Sequence, residues 1–250
     1  MRGTPAITIS DYQVGQTNLT YETPAVANSE LNIDQAKSWA FKVDDIDEMA
    51  SDMDLMNKFT AAAGEELKVK IDADCLQYIS TRANASNIGN SAGAISGGIA
   101  MGATGSPVTI DANNAVNKIV DVNVVLDEQA IPSENRFIVV PAWFVGFLKK
   151  SDLKSANVTN DSTGVIRSGV IGQVDRTKVI QSNLVYNVTD TVKCFYCVAG
   201  TKEAVTFANQ LVKTETLRIQ TSFGTYLRGL SVYGRAVVQP KALAVLYARK

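Results

Sequence analysis

The sequence predicts an α+β fold, with helices concentrated in the first half of the chain and strands in the second. In the first half, apolar residues recur at three- and four-residue spacing, as they do in amphipathic helices. The second half consists mostly of short runs rich in Val, Ile, Tyr and Phe, as strands do. This order favours α+β over a doubly wound α/β fold.

Composition limits the classes of function. Of the 250 residues, 46% are hydrophobic, which is enough to bury a core. The chain has 24 basic and 25 acidic residues, so it lacks the net positive charge of a nucleic-acid-binding protein. The chain has no histidine, which excludes Ser-His and Cys-His catalytic pairs and most metal hydrolase sites, but leaves all-carboxylate Mg²⁺ chemistry and Lys-based catalysis open. No apolar run is long enough to cross a membrane or to form a signal peptide. We therefore expect a protein that is not an enzyme, with no catalytic, cofactor-binding or metal-binding residues and no cofactor.

The first 43 residues predict a long β-hairpin. Apolar and polar residues alternate over residues 6–13, and from Leu31 to Val43 the odd positions carry the apolar set. Residues 14–29 between them are polar and rich in turn formers. A two-stranded hairpin is at best marginally stable alone in water. It should therefore lie against a neighbouring subunit or against the core of its own chain, and the sequence leaves both possibilities open.

A long amphipathic helix of about thirty residues is predicted from Asp44 onward. Acidic residues stand at its start, where the helix dipole favours negative charge. Gly64 is a possible weak point. The apolar positions that define the helix are Ile46, Met49, Met53, Met56, Ala63, Leu67 and Ile71.

Residues 81–107 predict a loop with six glycines, which invites comparison with phosphate-binding loops. No Gly-Lys-Ser/Thr follows, and no buried strand precedes the glycines. A flexible surface loop is therefore favoured over a nucleotide site.

The next part predicts an α/β lobe. A helix is expected over residues 111–127, a buried strand over 137–140, and a short helix over 142–150 that starts after Pro141. Residues 151–164 are expected to form a polar loop.

Strands dominate the remainder of the chain. We predict strands over residues 179–185 and 192–198, whereas residues 204–210 fit either a strand or a helix. Pro240 interrupts the last run, residues 235–247, so this run forms an edge strand or two short strands.

Three groups of residues have the types that carry chemistry. Cys194 and Cys197 have the spacing of a redox or zinc motif, but a strand would place them on opposite faces, and only Cys75 remains as a further thiol, so buried core thiols are favoured. An acidic cluster lies near the start of the predicted long helix, and a solvated helix N-terminus is favoured over a Mg²⁺ site for it. A basic cluster is expected to stabilise the end of the helix that precedes it. The acidic cluster consists of Asp44, Asp45, Asp47, Glu48, Asp52 and Asp54, and the basic cluster consists of Lys149, Lys150 and Lys154.

Four segments, in this order, resemble the major capsid proteins of tailed bacteriophages, whose Hong Kong-phage-type fold is shared with encapsulins. Residues 31–47 are similar to the returning strand of the family's extended loop where it enters the spine helix. Residues 66–72 are similar to the late part of that helix, and residues 131–141 to a strand before a short helix. The pair 169–175 and 179–183 is similar to two strands of the axial lobe.

The resemblance implies four regions: an extended hairpin loop (1–43), a peripheral domain with the spine helix (44–110), an axial domain (111–200) and a return to the peripheral domain (201–250). It also implies a major capsid protein of the virion, made in the host cytoplasm, that self-assembles through pentameric and hexameric capsomers into an icosahedral shell around the phage genome. An encapsulin-like compartment shell is the alternative.

The partners that the resemblance implies are other copies of the chain, with scaffolding, portal and decoration proteins as further possibilities. Packaged DNA is expected to make only weak, non-specific contact, and no membrane partner is expected. Lys37 and Lys42 lie in the loop that some relatives cross-link covalently, but no motif identifies an Asn partner, so no cross-link is predicted.

Overall fold

The computed structural model describes residues 30–50, 54–151, 172–218 and 223–250, together with six isolated positions before residue 30. The elements are β1 (Gln35–Asp44), α1 (Asp45–Ala50), α2 (Leu55–Ser80), β2 (Val108–Thr109), α3 (Ala115–Glu128), β3 (Arg136–Val140), α4 (Ala142–Lys150), β4 (Gln173–Val174), β5 (Thr177–Gln181), β6 (Asn187–Asp190), β7 (Val192–Thr201), β8 (Val205–Arg218), β9 (Gly224–Val237) and β10 (Leu243–Arg249).

A three-stranded antiparallel sheet has the order β1-β9-β8. Strands β8 and β9 have 14 residues each and form a long ladder, with a bulge between Asn209 and Leu211. At about 3.3 Å per residue, each strand extends over roughly 45 Å. Gly229 lies opposite Trp39, and the indole ring occupies the space that a Cβ on this residue would fill. The missing side chain therefore makes room for the tryptophan.

The alternation predicted for residues 31–43 is confirmed. The odd positions, including Trp39 and Phe41, are half-buried, and Val43 is buried, whereas the even positions are exposed. The partner of this strand differs from the hairpin prediction, because β1 pairs with β9 along its whole length. Residues 6–13 lie mostly outside the described residues, and Ile7, Ile9 and Asp11, which are described, do not lie in a strand.

The predicted long helix is present as two helices. The side chain of Asp54 caps α2 by accepting a hydrogen bond from the backbone N–H of Asn57 at 3.1 Å. This N-cap ends the continuity with α1, and residues 51–53 lie outside the described part. Helix α2 then continues to Ser80, beyond Ile71. Gly64 lies within α2 and does not interrupt it.

The larger sheet has the order β2-β10-β7-β3-β5-β4, with β6 also paired to β7. Helices α3 and α4 cover one face of it, and their buried side chains form the main hydrophobic core with residues of β3, β7 and β10. The predicted helix-strand-helix order of residues 111–150 is confirmed. The predicted polar loop over 151–164 lies outside the described residues except for Ser151.

The glycine-rich segment is a loop that lies largely at the surface, as predicted, but it is anchored to the core at several points. Ala92 and Met101 are fully buried in the main core. The side-chain amide of Asn87 donates hydrogen bonds to the carbonyl oxygens of Lys241 and Leu243 at 2.8 and 2.7 Å. These contacts fasten the loop to the start of β10.

Most of the later strands are confirmed, but the strand predicted over residues 179–185 ends at Gln181. Residues 205–210 are strand and not helix, and Pro240 separates β9 from β10, as one of the two alternatives predicted. Residues 211–218 and 224–234, which complete the long β8-β9 ladder, were not identified as strands from the sequence.

The division into residues 1–43, 44–110, 111–200 and 201–250 stays a prediction. The strand pairing places β10 next to β7, in the sheet formed mainly by the third of these regions. Within the described part of the chain, no helix is both long and apolar enough to cross a bilayer.

Candidate assembly surfaces

Helix α2 buries very little for its length. Its 26 residues extend over about 39 Å, yet Ser80 is the only buried residue described in it. Phe59 and Val69 keep 46% and 39% of their surface exposed. A helix of a globular protein normally buries an apolar stripe against a core. This helix therefore presents apolar surface that remains available to another molecule.

Among its described residues, the lobe formed by β1, α2, β8 and β9 also has no fully buried core of its own. Two hydrophobic clusters are described, and their fully buried members come from none of these four elements. The buried apolar side chains of the lobe are limited to Val43, Leu227 and Tyr233 in the described residues. Backbone ladders and partly buried side chains hold this half of the molecule together.

A polar cluster fastens α2 to the sheet. The hydroxyl of Tyr233 on β9 donates to Asp74 Oδ2 at 2.5 Å, and Arg235 forms an ion pair with the same carboxylate. The guanidinium groups of Arg235 and Arg82 lie 4.7 and 4.6 Å from the centre of the Tyr78 ring. Burial lowers the pKa of Arg235 and raises that of Tyr233. These side-chain contacts thus fix α2 to the sheet at one point along its length.

The face of the three-stranded sheet that points away from α2 carries a charged cluster beside exposed apolar groups. Arg228 and Lys213 both form ion pairs with Glu215, and these hydrogen bonds lower the pKa of Glu215. A shallow cavity of about 470 Å³ lies here, lined in part by Trp39 and Leu230. This face is a second surface available for contact.

The larger lobe is held by a buried arginine. The side chain of Arg136 on β3 is fully buried and donates to Asp127 Oδ1 on α3 at 2.6 Å. It also donates to three backbone oxygens, those of Asn123, Ile131 and Pro132. Partial burial by itself raises the pKa of Asp127, but hydrogen bonds from Arg176 and Arg136 lower it below its usual value.

The geometry therefore combines a compact lobe with an elongated, poorly buried lobe, and the comparisons with known proteins agree with this architecture. The sequence matches the family of phage capsid proteins over residues 33–246. The chain belongs to this family. A comparison with curated protein sequences finds no match.

Solved structures agree with the family. The capsid protein resembles a protein of Mycobacterium phage Che8 at 25% identity, with a TM-score of 0.74 over 98% of this chain and 82% of that one. It also resembles the mature capsid of bacteriophage PhiM1, at 15% identity and a TM-score of 0.67, over 100% and 81% of the two chains. The chain is a major capsid protein with the Hong Kong-phage-type fold, and its place is in the virion capsid.

The encapsulin alternative has weaker support. An encapsulin complex of Synechococcus elongatus matches at 11% identity, with a TM-score of 0.56 over 91% of this chain and 76% of that one. At this identity the likeness concerns the fold alone. The sequence match is to phage capsid proteins, so the capsid protein is a shell subunit and not an enzyme.

The cysteines of the capsid protein occupy the positions that the strand argument predicts. Cys194 and Cys197 are free and fully buried on β7, and three residues apart in a strand they point to opposite faces. Burial raises the pKa of Cys197 to about 12, which keeps its thiol protonated and unreactive. Cys75 is half-buried on α2, and burial also raises its pKa. No Cys-, Asp- or Glu-based metal cluster is found among the residues described.

The acidic cluster is divided among local roles. Asp44 pairs with Lys42, Asp45 pairs with Arg218, and Asp54 caps α2. Asp47 is exposed, whereas Asp52 and the side chain of Glu48 lie outside the described residues. The expected solvated helix N-terminus is confirmed for the described members. Lys149 and Lys150 lie in the last turn of α4, as predicted, and Lys154 is not described.

The glycine-rich loop uses its backbone amides for an internal contact. The N–H groups of Ile95 and Ser96 donate to Glu128 Oε2 at 2.8 and 3.1 Å. These hydrogen bonds lower the pKa of Glu128. These two backbone amides of the loop thus bind a carboxylate at the end of α3.

Proposed function

We propose that the capsid protein builds its shell by covering the exposed surface of helix α2 with residues 1–43 of a neighbouring copy. One observation carries this proposal: a 26-residue helix has one described buried residue. Because exposed apolar groups such as Phe59 and Val69 gain about 25 cal/mol for each Å² that is covered, contact with a neighbour stabilises the assembled form.

The other regions take the remaining contacts. Residues 111–200 meet their copies at the centre of pentameric and hexameric capsomers, and the lobe of α2, β8 and β9 joins one capsomer to the next. The contacts within a capsomer are heterologous, joining different patches on two copies, because such contacts close into rings. The shell encloses the phage genome. Scaffolding, portal and decoration proteins are further partners, and synthesis takes place in the host cytoplasm.

Packaged DNA has a minor role in this scheme. With 24 basic and 25 acidic residues, the chain has too little positive charge to bind a polyanion tightly. Its contact with DNA is weak and non-specific.

A deletion tests the reach of the first 43 residues. Residues 14–29 are replaced by Asn-Gly, a dipeptide suited to a tight hairpin turn. The fold of the subunit should melt within a few degrees of the parent, because residues 14–29 are polar, rich in turn formers and have little apolar surface to bury. Assembly should fail or give small aberrant particles.

The measurement is a melting curve beside a particle count by electron microscopy, for the deletion and the parent. Normal shells from the deletion would contradict the proposed reach across a neighbour. Loss of cooperative unfolding would assign residues 14–29 to the core of their own subunit.

A further inference from the structure

A basic cavity lies on the free face of the larger sheet, away from α3 and α4. It has a volume of about 310 Å³. The three cationic side chains that line it come from the turn before β5, from β5 and from the segment after β7, while two apolar side chains from β3 and β5 complete the wall. These residues are Arg176, Lys178, Lys202, Phe137 and Ile180.

The positive charge of this basic cavity is only partly neutralised. Arg176 donates to the carboxylate of Asp127, whereas the side chain of Arg136 is buried on the opposite face of the sheet, against α3. Lys178 and Lys202 have no ion-pair partner within the described ranges, and no carboxylate lines the cavity. Two exposed lysines therefore line an open cavity without a counter-charge, and an anionic group would be attracted to that space.

The wall of the basic cavity favours a protein side chain over DNA. Ile180 keeps 39% of its surface exposed and Phe137 is half-buried, so the occupant has an apolar part beside its negative charge. A DNA duplex is a wide rod and cannot enter a side-chain-sized recess, whereas an acidic side chain can. The overall charge of -1 also argues against a DNA contact here.

Helix α1 has the complementary chemistry. Ile46 and Met49 are 76% and 89% exposed, which leaves them without a covering partner in the described chain. Asp47 lies between them and is exposed. An acidic group flanked by two uncovered apolar side chains matches a basic recess with apolar walls.

We propose that α1 of one copy docks into the basic cavity of a second copy, with Asp47 facing Lys178 and Lys202. This inference rests on the proposed assembly and names one pair of surfaces within it. Helix α2 packs beside β7, in the sheet that carries the basic cavity, and its 26 residues separate its C-terminal end from α1. Helix α1 and the basic cavity therefore lie in different parts of the subunit. The contact is heterologous and can close into a ring.

Charge reversal with rescue tests the proposal. Lys178→Glu and Asp47→Lys should each raise the protein concentration needed for half-assembly about tenfold, because each places like charges in contact. The double variant restores opposite charges and should assemble within about threefold of the parent. Lys241→Glu, at another exposed lysine, is the matched control and should assemble like the parent.

Zero-length carbodiimide cross-linking of parent shells, followed by mass spectrometry, identifies the acceptor directly. An amide between Lys178 or Lys202 and Asp47 of another copy supports the proposal. Normal assembly of Lys178→Glu overturns it, as do two defective single variants with no rescue in the double variant. Unchanged assembly combined with weaker retention of duplex DNA would also overturn it and assign the cavity to DNA.

The outcomes separate this inference from the proposed function. A parent protein that forms no shells contradicts the proposed function itself. A parent that forms shells while the deletion of residues 14–29 does not, together with a normal Lys178→Glu variant, retains the proposed function and removes only the docking of α1. Melting curves of the unassembled variants confirm that each one folds.

Discussion

Two arginines in this capsid protein form similar ion pairs in opposite environments, and their replacement by Ala should have very different effects on stability. Arg136 donates to Asp127 at 2.6 Å with a fully buried side chain. Arg228 donates to Glu215 at 2.8 Å through Nε, and its side chain is 58% exposed. The ion pairs are alike, so the two replacements differ in the burial of the side chain and in the three backbone hydrogen bonds that Arg136 also donates.

The magnitude for Arg136→Ala follows from its contacts. Breaking a buried ion pair destabilises a protein by about 3 to 5 kcal/mol, and each of three backbone oxygens loses a buried donor worth about 1 kcal/mol. Asp127 remains bonded to Arg176 and 38% exposed, which moderates the loss. Because Asp127 keeps a partner, the ion-pair contribution falls to about 0 to 2 kcal/mol, and with about 3 kcal/mol for the three lost donors the total is about 3 to 5 kcal/mol. Arg228→Ala should lose less than about 1 kcal/mol, because exposed ion pairs contribute little.

The assay is thermal unfolding of the unassembled subunit, followed by circular dichroism. For a chain of this size, 1 kcal/mol shifts the melting temperature by about 2 to 4 °C. Arg136→Ala should therefore melt roughly 6 to 20 °C below the parent, and Arg228→Ala within about 4 °C of it. Equal melting temperatures for the two variants would refute the burial argument, and normal stability of Arg136→Ala would remove the arginine from the core of this lobe.

Three further predictions follow from the structure. The pKa of Asp127 is lowered from an unfolded value near 4, so the stability that this carboxylate provides is present above about pH 5 and is lost as pH falls through the folded pKa. Between pH 7 and 3, the melting temperature of Asp127→Asn should therefore fall less steeply than that of the parent. Identical pH profiles would contradict this. In the native protein a thiol reagent should modify Cys75 before Cys194 and Cys197, and rapid reaction of all three thiols would disprove the burial. Replacement of Cys194 and Cys197 by Val should leave assembly near normal and lower the free energy of unfolding by about 1 to 3 kcal/mol. Gly102→Ala should destabilise the subunit by at least about 1 kcal/mol, because φ is +82° and the new Cβ would lie 2.3 Å from the Tyr247 carbonyl oxygen. Gly64→Ala in α2, where open space surrounds the glycine, should stabilise the subunit by about 0.5 to 1 kcal/mol. Chemical denaturation that ranks the two variants in the reverse order would count against both assignments.

Elements with a strong period or clear end signals could be predicted from the sequence. The alternation up to Val43 predicts β1, the spacing of buried residues in 111–127 predicts α3, and Pro141 marks the start of α4. In each case a local pattern follows from burial on one side of the element. The fold class rests on these elements.

The long β8-β9 ladder was only partly predicted, for a physical reason. Both faces of this sheet are partly exposed, so the apolar side chains of β9, such as Tyr226 and Leu230, do not all mark a single buried face. The pairing of β1 with β9 joins residues about 190 positions apart, beyond the reach of local periodicity. The division of the predicted helix depends on one N-cap, Asp54, within a run of acidic residues that gave no distinct signal.

The candidate surfaces are also features of three-dimensional placement. Lys178 and Lys202 are 24 positions apart, and only the packing of β5 beside β3 and β7 brings them to one cavity. Arg136 is a charged residue within an otherwise apolar strand, and its burial depends on acceptors supplied by α3 and the following turn. The surface of α2 was predicted as amphipathic, but its low burial becomes apparent only once its neighbours are known.

The central claim is that the exposed surface of α2 is covered by residues 1–43 of another copy in an assembled shell. The most direct measurement is an electron cryomicroscopy reconstruction of particles formed by the purified protein, at a resolution that shows side chains. We predict closed shells in which Phe59 and Val69 of every copy contact residues 1–43 of a neighbour. Shells that leave this face of α2 in contact with solvent, or protein that remains monomeric at all concentrations, would contradict the claim.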